Sequence, residues 1–340
     1  MKASAKRRFG RSGLEVTAMG FGTAPIGNQF RRVPEEDARG VIAGAWDAGL
    51  RYFDTAPMYG HGLSEHRLGE SLRAYPRDEY VLSTKVGRKL KPVPAGGLTS
   101  FFWVDMPPFE IEHDYSYDGC MRSFEDSLQR LGQARIDILF IHDIDVFSHG
   151  PELQKQHFRT AMDSGYKALE KLRSEGLVKA IGVGCNEWQV CEAALRERDF
   201  DCFLLAGRYT LLEQDALDTF LPLCEERDVA VVLGGGFNSG ILATGAVKGA
   251  HYNYSEAPPE ILERVSKIEA VCKEYNVPLK AAALQFVLAH PAIPTNIPGT
   301  RTKTHLDENI ALIEHPIPAE FWAALKKKGL VRENAPVPAQ

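Results

Sequence analysis

Four residues have the side-chain types needed to move a proton onto or off a carbonyl oxygen: Asp54, Tyr59, Lys85 and His142. Asp54 stands at the carboxyl end of RYFDTA, with Tyr59 following in PMYGHG. Lys85 closes VLSTKV and His142 closes IDILFIHD. Each of these three runs is short, apolar and β-rich, and each carries its polar residue just before a loop. In a barrel of parallel strands such ends converge on one rim, where active sites sit. A phenol exchanges a proton with a substrate oxygen only if its pKa, ~10 when unperturbed, is brought nearer to working pH. The Lys85 cation is expected to do this by stabilising phenolate, with Asp54 holding the ammonium in place. His142 would donate a hydrogen bond to the substrate oxygen or help pass its proton. Taken singly, each residue has a bland explanation: a surface aromatic, a solvated lysine, a capping aspartate, a core histidine. The joint pattern of polar residues ending evenly spaced strand-helix units carries the reading.

The elements that must position them alternate. Strand-like runs occupy 18–24, 51–56, 80–86, 136–143, 180–186, 203–207, 229–235 and 295–299. Helical patterns occupy 35–49, 65–74, 116–131, 157–175, 187–197, 215–227 and 260–290, with another after Thr302. Pro34-Glu35-Glu36 opens the first helix and Gly49 ends it, while Ser64-Glu65 opens the second. Ser116 reads as the N-cap of the third, and Arg130-Leu131-Gly132 closes it. Eight strands alternating with helices predict an α/β fold, a (β/α)8 TIM barrel. One domain is expected over 1–340, with a core at about 8–330 and a tail at 331–340. The stretch 8–16, with Gly10 and Gly13, predicts an N-terminal β-hairpin capping one end. A doubly wound sheet would announce itself by GxGxxG after the first strand, where this chain has GTAPIGNQF. Two long connections break the spacing, 88–115 and 236–259. The first holds four prolines with Phe101, Phe102, Trp103 and Phe109, and reads as a lid or substrate wall. The end of the tail, 334–340, is expected to be poorly ordered.

Bulk properties exclude other classes. With 340 residues, 44 % apolar and 25 % charged, the chain has the makeup of a soluble globular protein with a large core. A net charge of -5 and a pI near 6.1 argue against nucleic acid or an anionic membrane as partner. The six cysteines have no CxxC and no metal-ligand spacing, so they read as reduced, buried thiols of a cytoplasmic protein without a metal site. The start MKASAKRRFGRSGLEV lacks the apolar run of a signal peptide. No segment approaches the ~18 apolar residues of a membrane span.

At these residues the chain resembles the aldo-keto reductase family. The resemblance is carried by FDTAPMYGHGLSEHRLGESL (53–72), STKVGR (83–88), SLQRLGQARIDILFIHD (127–143) and IPGTRTKTHLDENI (297–310), and it runs from about residue 9 to 330. It implies a barrel that binds NAD(P)(H) without a Rossmann domain, with Tyr59 as general acid/base and Asp54, Lys85 and His142 as its partners. The segments at 114–132, 142–150 and 234–242 resemble the branch that holds D-threo-aldose (L-fucose) 1-dehydrogenases and pyridoxal 4-dehydrogenase. That branch implies oxidation of a sugar or pyridoxal-like hemiacetal or carbonyl as the small-molecule partner. Two alternatives stand beside it: a reductase of ketones or aldehydes, including xenobiotic ones, and a non-catalytic cofactor-binding regulatory subunit. The intact tetrad argues against the last.

The cofactor site implied by the resemblance starts with Gly22, Thr23 and Asp54 and continues to Asn186, which matches the residue that binds the nicotinamide carboxamide. The usual neighbours are altered: Cys185 replaces a serine, Ala206 a glutamine, and Gly234 the aromatic that stacks on nicotinamide, with Phe237 or Tyr209 as possible substitutes. The glycines at 234–236 let backbone approach a pyrophosphate. Donors there would be the N–H groups of Phe237, Asn238, Ser239 and Gly240 and the Ser239 hydroxyl, with Leu242 at the end of the segment. The adenine-ribose end would take Gly299, Thr300, Arg301, His305, Glu308 and Asn309. NADP-preferring relatives carry Lys or Arg where Gly299 and His305 stand, so NAD is favoured over NADP, although Arg301 and Lys303 lie near. The substrate would meet Tyr59, His142, Phe101, Phe102 and Trp103.

Overall fold

A computed structural model describes residues 1–338 except Ala95, Thr99 and Phe101. An antiparallel pair opens the chain, β1 (Lys6–Arg8) and β2 (Glu15–Thr17). The strands β3 (Phe21–Gly22), β4 (Tyr52–Asp54) and β5 (Val81–Val86) then pair in parallel. A second antiparallel pair, β6 (Arg88–Pro92) and β7 (Phe109–His113), stands apart from the sheet. The parallel sheet resumes with β8 (Ile138–His142), β9 (Ala180–Cys185), β10 (Cys202–Ala206) and β11 (Ala230–Gly234). A small hairpin, β12 (His251–Tyr252) and β13 (Ser255–Glu256), precedes the last strand, β14 (Thr295–Asn296). The sheet runs β3-β4-β5-β8-β9-β10-β11-β14, and the parallel bridges Met19↔Asn296 and Gly22↔Gly299 join its two edges. The ring is closed, as expected for a (β/α)8 barrel.

Side chains alternate across each strand. One set, including Ile138 and Phe140, Cys202 and Leu204, Ala230 and Val232, fills the barrel together with Phe9, Leu14 and Val16 from the N-terminal pair. The hairpin thus seals the barrel floor with apolar surface. The alternate set, including Leu139, Ile141, Phe203 and Leu205, packs outward with the large core shared by the helices. Both faces are buried, which explains why the strand segments read as continuous apolar runs.

Most helices lie where the sequence places them, with instructive exceptions. Ser116 caps Tyr117–Leu131 by accepting from the Gly119 N–H at 3.1 Å, and Gly132 closes it at φ 57. The expected helix 260–290 is two, Pro259–Glu274 and Leu279–Leu288. Asn276 is left-handed at φ 54 and Pro278 has no N–H to continue the ladder, so the chain turns there. The expected helix 157–175 starts earlier, as Val146–Thr160 kinked at Gly150 (φ 70) before Pro151, and continues through a π turn into Tyr166–Ser174. The long connection 88–115 is partly built as the β6-β7 hairpin. The tail also differs from expectation. Within the described part, 334–338, Ala335 is buried, because packing against the core outweighs the loose Pro-Ala composition. All six cysteines are free and buried, and among the described residues no helix is long and apolar enough to cross a membrane.

Candidate active site

Parallel pairing of β4, β5 and β8 brings Asp54, Lys85 and His142 to one rim. The Lys85 ammonium donates to Asp54 Oδ2 and to the Thr55 carbonyl, each at 2.8 Å. Asp54 Oδ1 accepts from Ser83 Oγ at 2.7 Å, and Ser83 in turn meets the Tyr52 hydroxyl at 3.0 Å. Both members of the ion pair are within 2 % of fully buried. Burial works against the Lys85 ammonium, yet Asp54 and Tyr59 outweigh it and hold its pKa above the ordinary lysine value. Burial also lifts the Asp54 carboxyl above its usual range, against the pull of Lys85.

Tyr59 reaches the same point from a turn. The Gly62 N–H donates to the Pro57 carbonyl at 2.8 Å, and the Ser64 N–H to the Tyr59 carbonyl at 3.2 Å. This turn crosses the Ala24–Gly27 turn so closely that a Cβ on Gly60 (φ +61) would sit 2.3 Å from the Gly27 carbonyl oxygen. Only glycine permits that approach and that dihedral. Behind the turn, Ser64 bonds Thr23 Oγ1 at 2.7 Å and Thr55 Oγ1 at 3.1 Å. Ser64 and Glu65 open the second helix within its first turn, behind Gly62 at the N-cap. They lie buried inside Leu63–Leu72, where Glu65 accepts from Thr84 Oγ1 at 2.7 Å and Arg130 Nε at 2.5 Å.

The Tyr59 ring centroid lies 4.7 Å from Lys85 Nζ, and 6.0 Å from the rings of both His142 and Trp103. Burial raises the Tyr59 pKa more than Lys85 lowers it. This corrects the expectation that the lysine brings the phenol down: the phenol rests protonated. His142 is neutral, its pKa pushed well below the ordinary value by burial and then by Arg88, Lys85 and His113. Among the described residues its buried Nδ1 has no hydrogen-bond partner, and its Nε2 lies 3.4 Å from Asp143 Oδ2.

These groups border a cavity of about 380 Å³ that Phe102, Trp103, Asn186, Ala206 and Tyr254 also line. Phe101 lies outside the described residues. Three ionisable lining residues were missed in the sequence: Arg88, Asp143 and Tyr254. Arg88 donates to Asp143 Oδ2 at 2.6 Å, and burial pushes the Asp143 carboxyl up to about 6 against the pull of Arg88. Tyr254, at the β12-β13 tip, donates from its hydroxyl to Asn186 Oδ1 at 3.1 Å. Its ring lies 6.1 Å from that of Phe102 and 5.5 Å from that of Phe147. Arg88 and Asp143 stand inside the motifs quoted above, next to strand ends, which was the available signal. Tyr254 had none.

The opposite wall holds the residues expected to bind a dinucleotide, and several are engaged within the protein. A Cβ on Gly22 would come within 2.9 Å of the Ile297 carbonyl oxygen, so backbone packing already requires that glycine. The Thr23 N–H donates to the Asp54 carbonyl at 3.1 Å. Asn238 holds the neighbouring turn: its Nδ2 donates to the Gly207 carbonyl at 3.0 Å and its Oδ1 accepts from the Thr210 hydroxyl. The N–H groups of Asn238, Gly240 and Leu242 are spent on the carbonyls of Gly235 and Phe237. Leu242 is fully buried in the core, and Ser239 Oγ accepts from the Tyr254 N–H at 2.9 Å. Tyr209 is buried against Phe286 and His290, too deep to replace a ring clamp. Further on, Thr302 caps Lys303–Glu314 through the His305 N–H at 3.3 Å, Glu308 pairs with Lys280 at 2.6 Å, and Asn309 meets buried Thr300 at 3.4 Å. A Cβ on Gly299 would touch Pro25 at 2.8 Å. Arg301 donates to the Gln29 carbonyl at 2.7 Å.

This wall still fits a dinucleotide in kind. Asn186 offers an amide at the cavity, and the capped start of the helix Lys303–Glu314 favours an anion. A Cβ on Gly234 would meet only ordinary contacts, 3.5 Å to Leu204 Cδ2, so open space is left where a ring clamp would stand.

The chain is similar to known proteins over nearly its whole length. The model of the Aldo/keto reductase family matches residues 18–329. Pyridoxal 4-dehydrogenase of Microbacterium luteolum is 44% identical, with 97% of this chain and 99% of that protein covered. D-threo-aldose 1-dehydrogenase of a Pseudomonas species is 41% identical, with 94% and 96% covered. Among solved structures, an aldo-keto reductase from Bacillus halodurans in its holo form matches with a TM-score of 0.74 at 24% identity, covering 98% of each chain.

Proposed function

The chain belongs to the aldo/keto reductase family and is an oxidoreductase, and on that premise we propose that it oxidises a cyclic hemiacetal of the aldose or pyridoxal kind, with Tyr59 as general acid/base. The observation that carries this reading is the buried set of Asp54, Lys85 and Tyr59 facing neutral His142 across one cavity. Both relatives are named as dehydrogenases, one of pyridoxal and one of an aldose.

Bound nicotinamide would supply or accept the hydride. The protein's part is the proton. A substrate oxygen placed between the Tyr59 hydroxyl and His142 receives a hydrogen bond from each in the reducing direction, and the phenol, protonated at rest, gives up its proton. In the oxidising direction the substrate hydroxyl delivers its proton to phenolate, so oxidation should quicken as pH rises. The Lys85 cation stabilises that phenolate, and Asp54 keeps the cation in place.

The nucleotide is proposed to be NAD. Gly299 and His305 offer no lysine or arginine to a 2′-phosphate. Nearby Lys303 is paired with Asp307 at 2.7 Å, and Arg301 is tied to Gln29. The test is absorbance at the NADH band with purified protein. NAD⁺ or NADP⁺ is offered with L-fucose, D-arabinose and pyridoxal, and the reduced nucleotides with a panel of carbonyls. Absence of turnover in both directions sinks the proposal, and a clear preference for NADP⁺ sinks its nucleotide half.

A further inference from the structure

Asp143 is the residue after His142, and its backbone is held in a conformation that most residues avoid. Its φ is 45, in the left-handed region. Three hydrogen bonds enforce this: the Asp143 N–H donates to the Gly184 carbonyl at 2.8 Å, and the Asp143 carbonyl accepts from the Tyr115 hydroxyl and from His149 Nε2, each at 2.7 Å. Strain maintained by surrounding structure marks a side chain whose direction matters. The side chain so directed is a carboxylate on the cavity wall, with Oδ2 held by Arg88 at 2.6 Å and 3.4 Å from His142 Nε2. Its Oδ1 has no hydrogen-bond partner among the described residues.

A buried ion pair is costly unless its remaining polar atoms are satisfied. The pair is 7 % and 13 % exposed; its buried unpaired atom among the described residues is Arg88 Nε, while Oδ1 stays accessible on the cavity wall as the free acceptor. We propose that Asp143, clamped by Arg88, recognises a hydroxyl on the carbon next to the reacting one, and so selects hydroxyaldehydes and their cyclic hemiacetals over simple aldehydes. The inference rests on the reading that carbonyl chemistry occurs between Tyr59 and His142. With the reacting oxygen at His142, Asp143 is the next polar group along the wall, its Oδ2 lying 3.4 Å from His142 Nε2. The Arg88-Asp143 pair is neutral overall, as is Lys85-Asp54, so the wall selects neither a phosphate nor a cation. A hydroxyl, which donates to Oδ1, is the group that matches.

The alternative is that Asp143 only orients His142. The experiment compares kcat/KM for reduction of lactaldehyde and of propanal, which differ by one hydroxyl, using the full chain with its nucleotide. The variants are Asp143→Asn and Asp143→Gly, the latter free to adopt φ 45 if the former misfolds. Recognition predicts that the lactaldehyde-to-propanal ratio falls about ten- to a hundredfold in both, the range for a hydrogen bond to a charged group. An unchanged ratio, whether or not the absolute rates drop, overturns the proposal. Equilibrium binding of L-fucose, followed by protein fluorescence, gives a readout that needs no hydride transfer. It should weaken about tenfold in Asp143→Asn. Unchanged binding sinks the recognition role, whereas absence of turnover with every aldehyde in the wild type sinks only the reading of carbonyl chemistry between Tyr59 and His142.

Discussion

At the ends of β4, β5 and β8 the ionisable groups close on one another: Lys85 on Asp54 at 2.8 Å and Arg88 on Asp143 at 2.6 Å, with Asp143 alone of the four partly exposed. At the ends of β9, β10 and β11 stand Cys185, Ala206 and Gly234, and the polar contact at Asn186 comes from Tyr254 on a distant hairpin. One wall is fixed by strand register and a dry ion pair. The other is small, open and furnished by loops. Proton transfer needs donor and acceptor within hydrogen-bond reach, which strand register supplies for Asp54, Lys85 and His142 and the tight Gly60 turn supplies for Tyr59. Holding a flat ring needs area, which loops can supply in several ways.

The sharpest way to break this comparison is at Tyr59. Tyr59→Phe should lower kcat by about 10²–10⁴ through loss of general acid/base catalysis. Dinucleotide affinity, measured by fluorescence titration, should hold, because the phenol acts on substrate. A parallel loss of nucleotide binding would show that the two walls are one unit. Asp54→Asn tests the dry pair itself. Lys85 would be left buried without its counter-ion, at a cost of about 3–5 kcal/mol on unfolding in denaturant. A loss well under 1 kcal/mol would mean that water or another group takes over, and that this wall is no more fixed than the other.

A smaller effect should follow pH at Asp143. Its carboxyl titrates at about 6 in the folded protein against an ordinary value of 3.8, because burial outweighs Arg88. Between these values the folded state binds the proton and the unfolded state does not. On this group's account, stability therefore falls as pH rises from 4 to above 6. The Asp143→Asn variant cannot titrate there, so its stability relative to wild type should shift in the variant's favour over the same window. Thermal unfolding of both across that range checks it, and a constant difference would refute it.

What the sequence revealed follows the same division. Asp54, Lys85 and His142 were legible because short continuous apolar runs fix where strands end, and strand ends fix the rim. Ser116 and Gly132 were legible because caps are local. The Arg88-Asp143 pair was not, since it joins two strand ends 55 residues apart by side-chain direction alone. Nor was the β6-β7 hairpin, whose charged faces and flanking prolines hide its alternation. The Gly150-Pro151 step reads as a helix stop, yet the kinked helix continues because packing supplies what local propensity lacks. Tyr254 and its hold on Asn186 depend on a hairpin of two-residue strands, below the length at which a pattern is visible.

The smallest predicted effect is at Gly234, and it bears on the open wall. Gly60 on the fixed side cannot accept a side chain, because a Cβ would strike the Gly27 carbonyl oxygen at 2.3 Å. Gly234 has extended backbone in β11, and its Cβ would meet nothing nearer than 3.5 Å. Gly234→Ala should therefore stabilise the protein by about 0.4–1 kcal/mol, chiefly by restricting the unfolded chain. Thermal unfolding would show a small rise in Tm. If the glycine is instead required by unseen backbone strain, Tm will fall, and the openness at this position is imposed by the fold. If Tm rises while nucleotide affinity drops, the methyl occupies room the ring needs, and the missing clamp is a feature of the binding site.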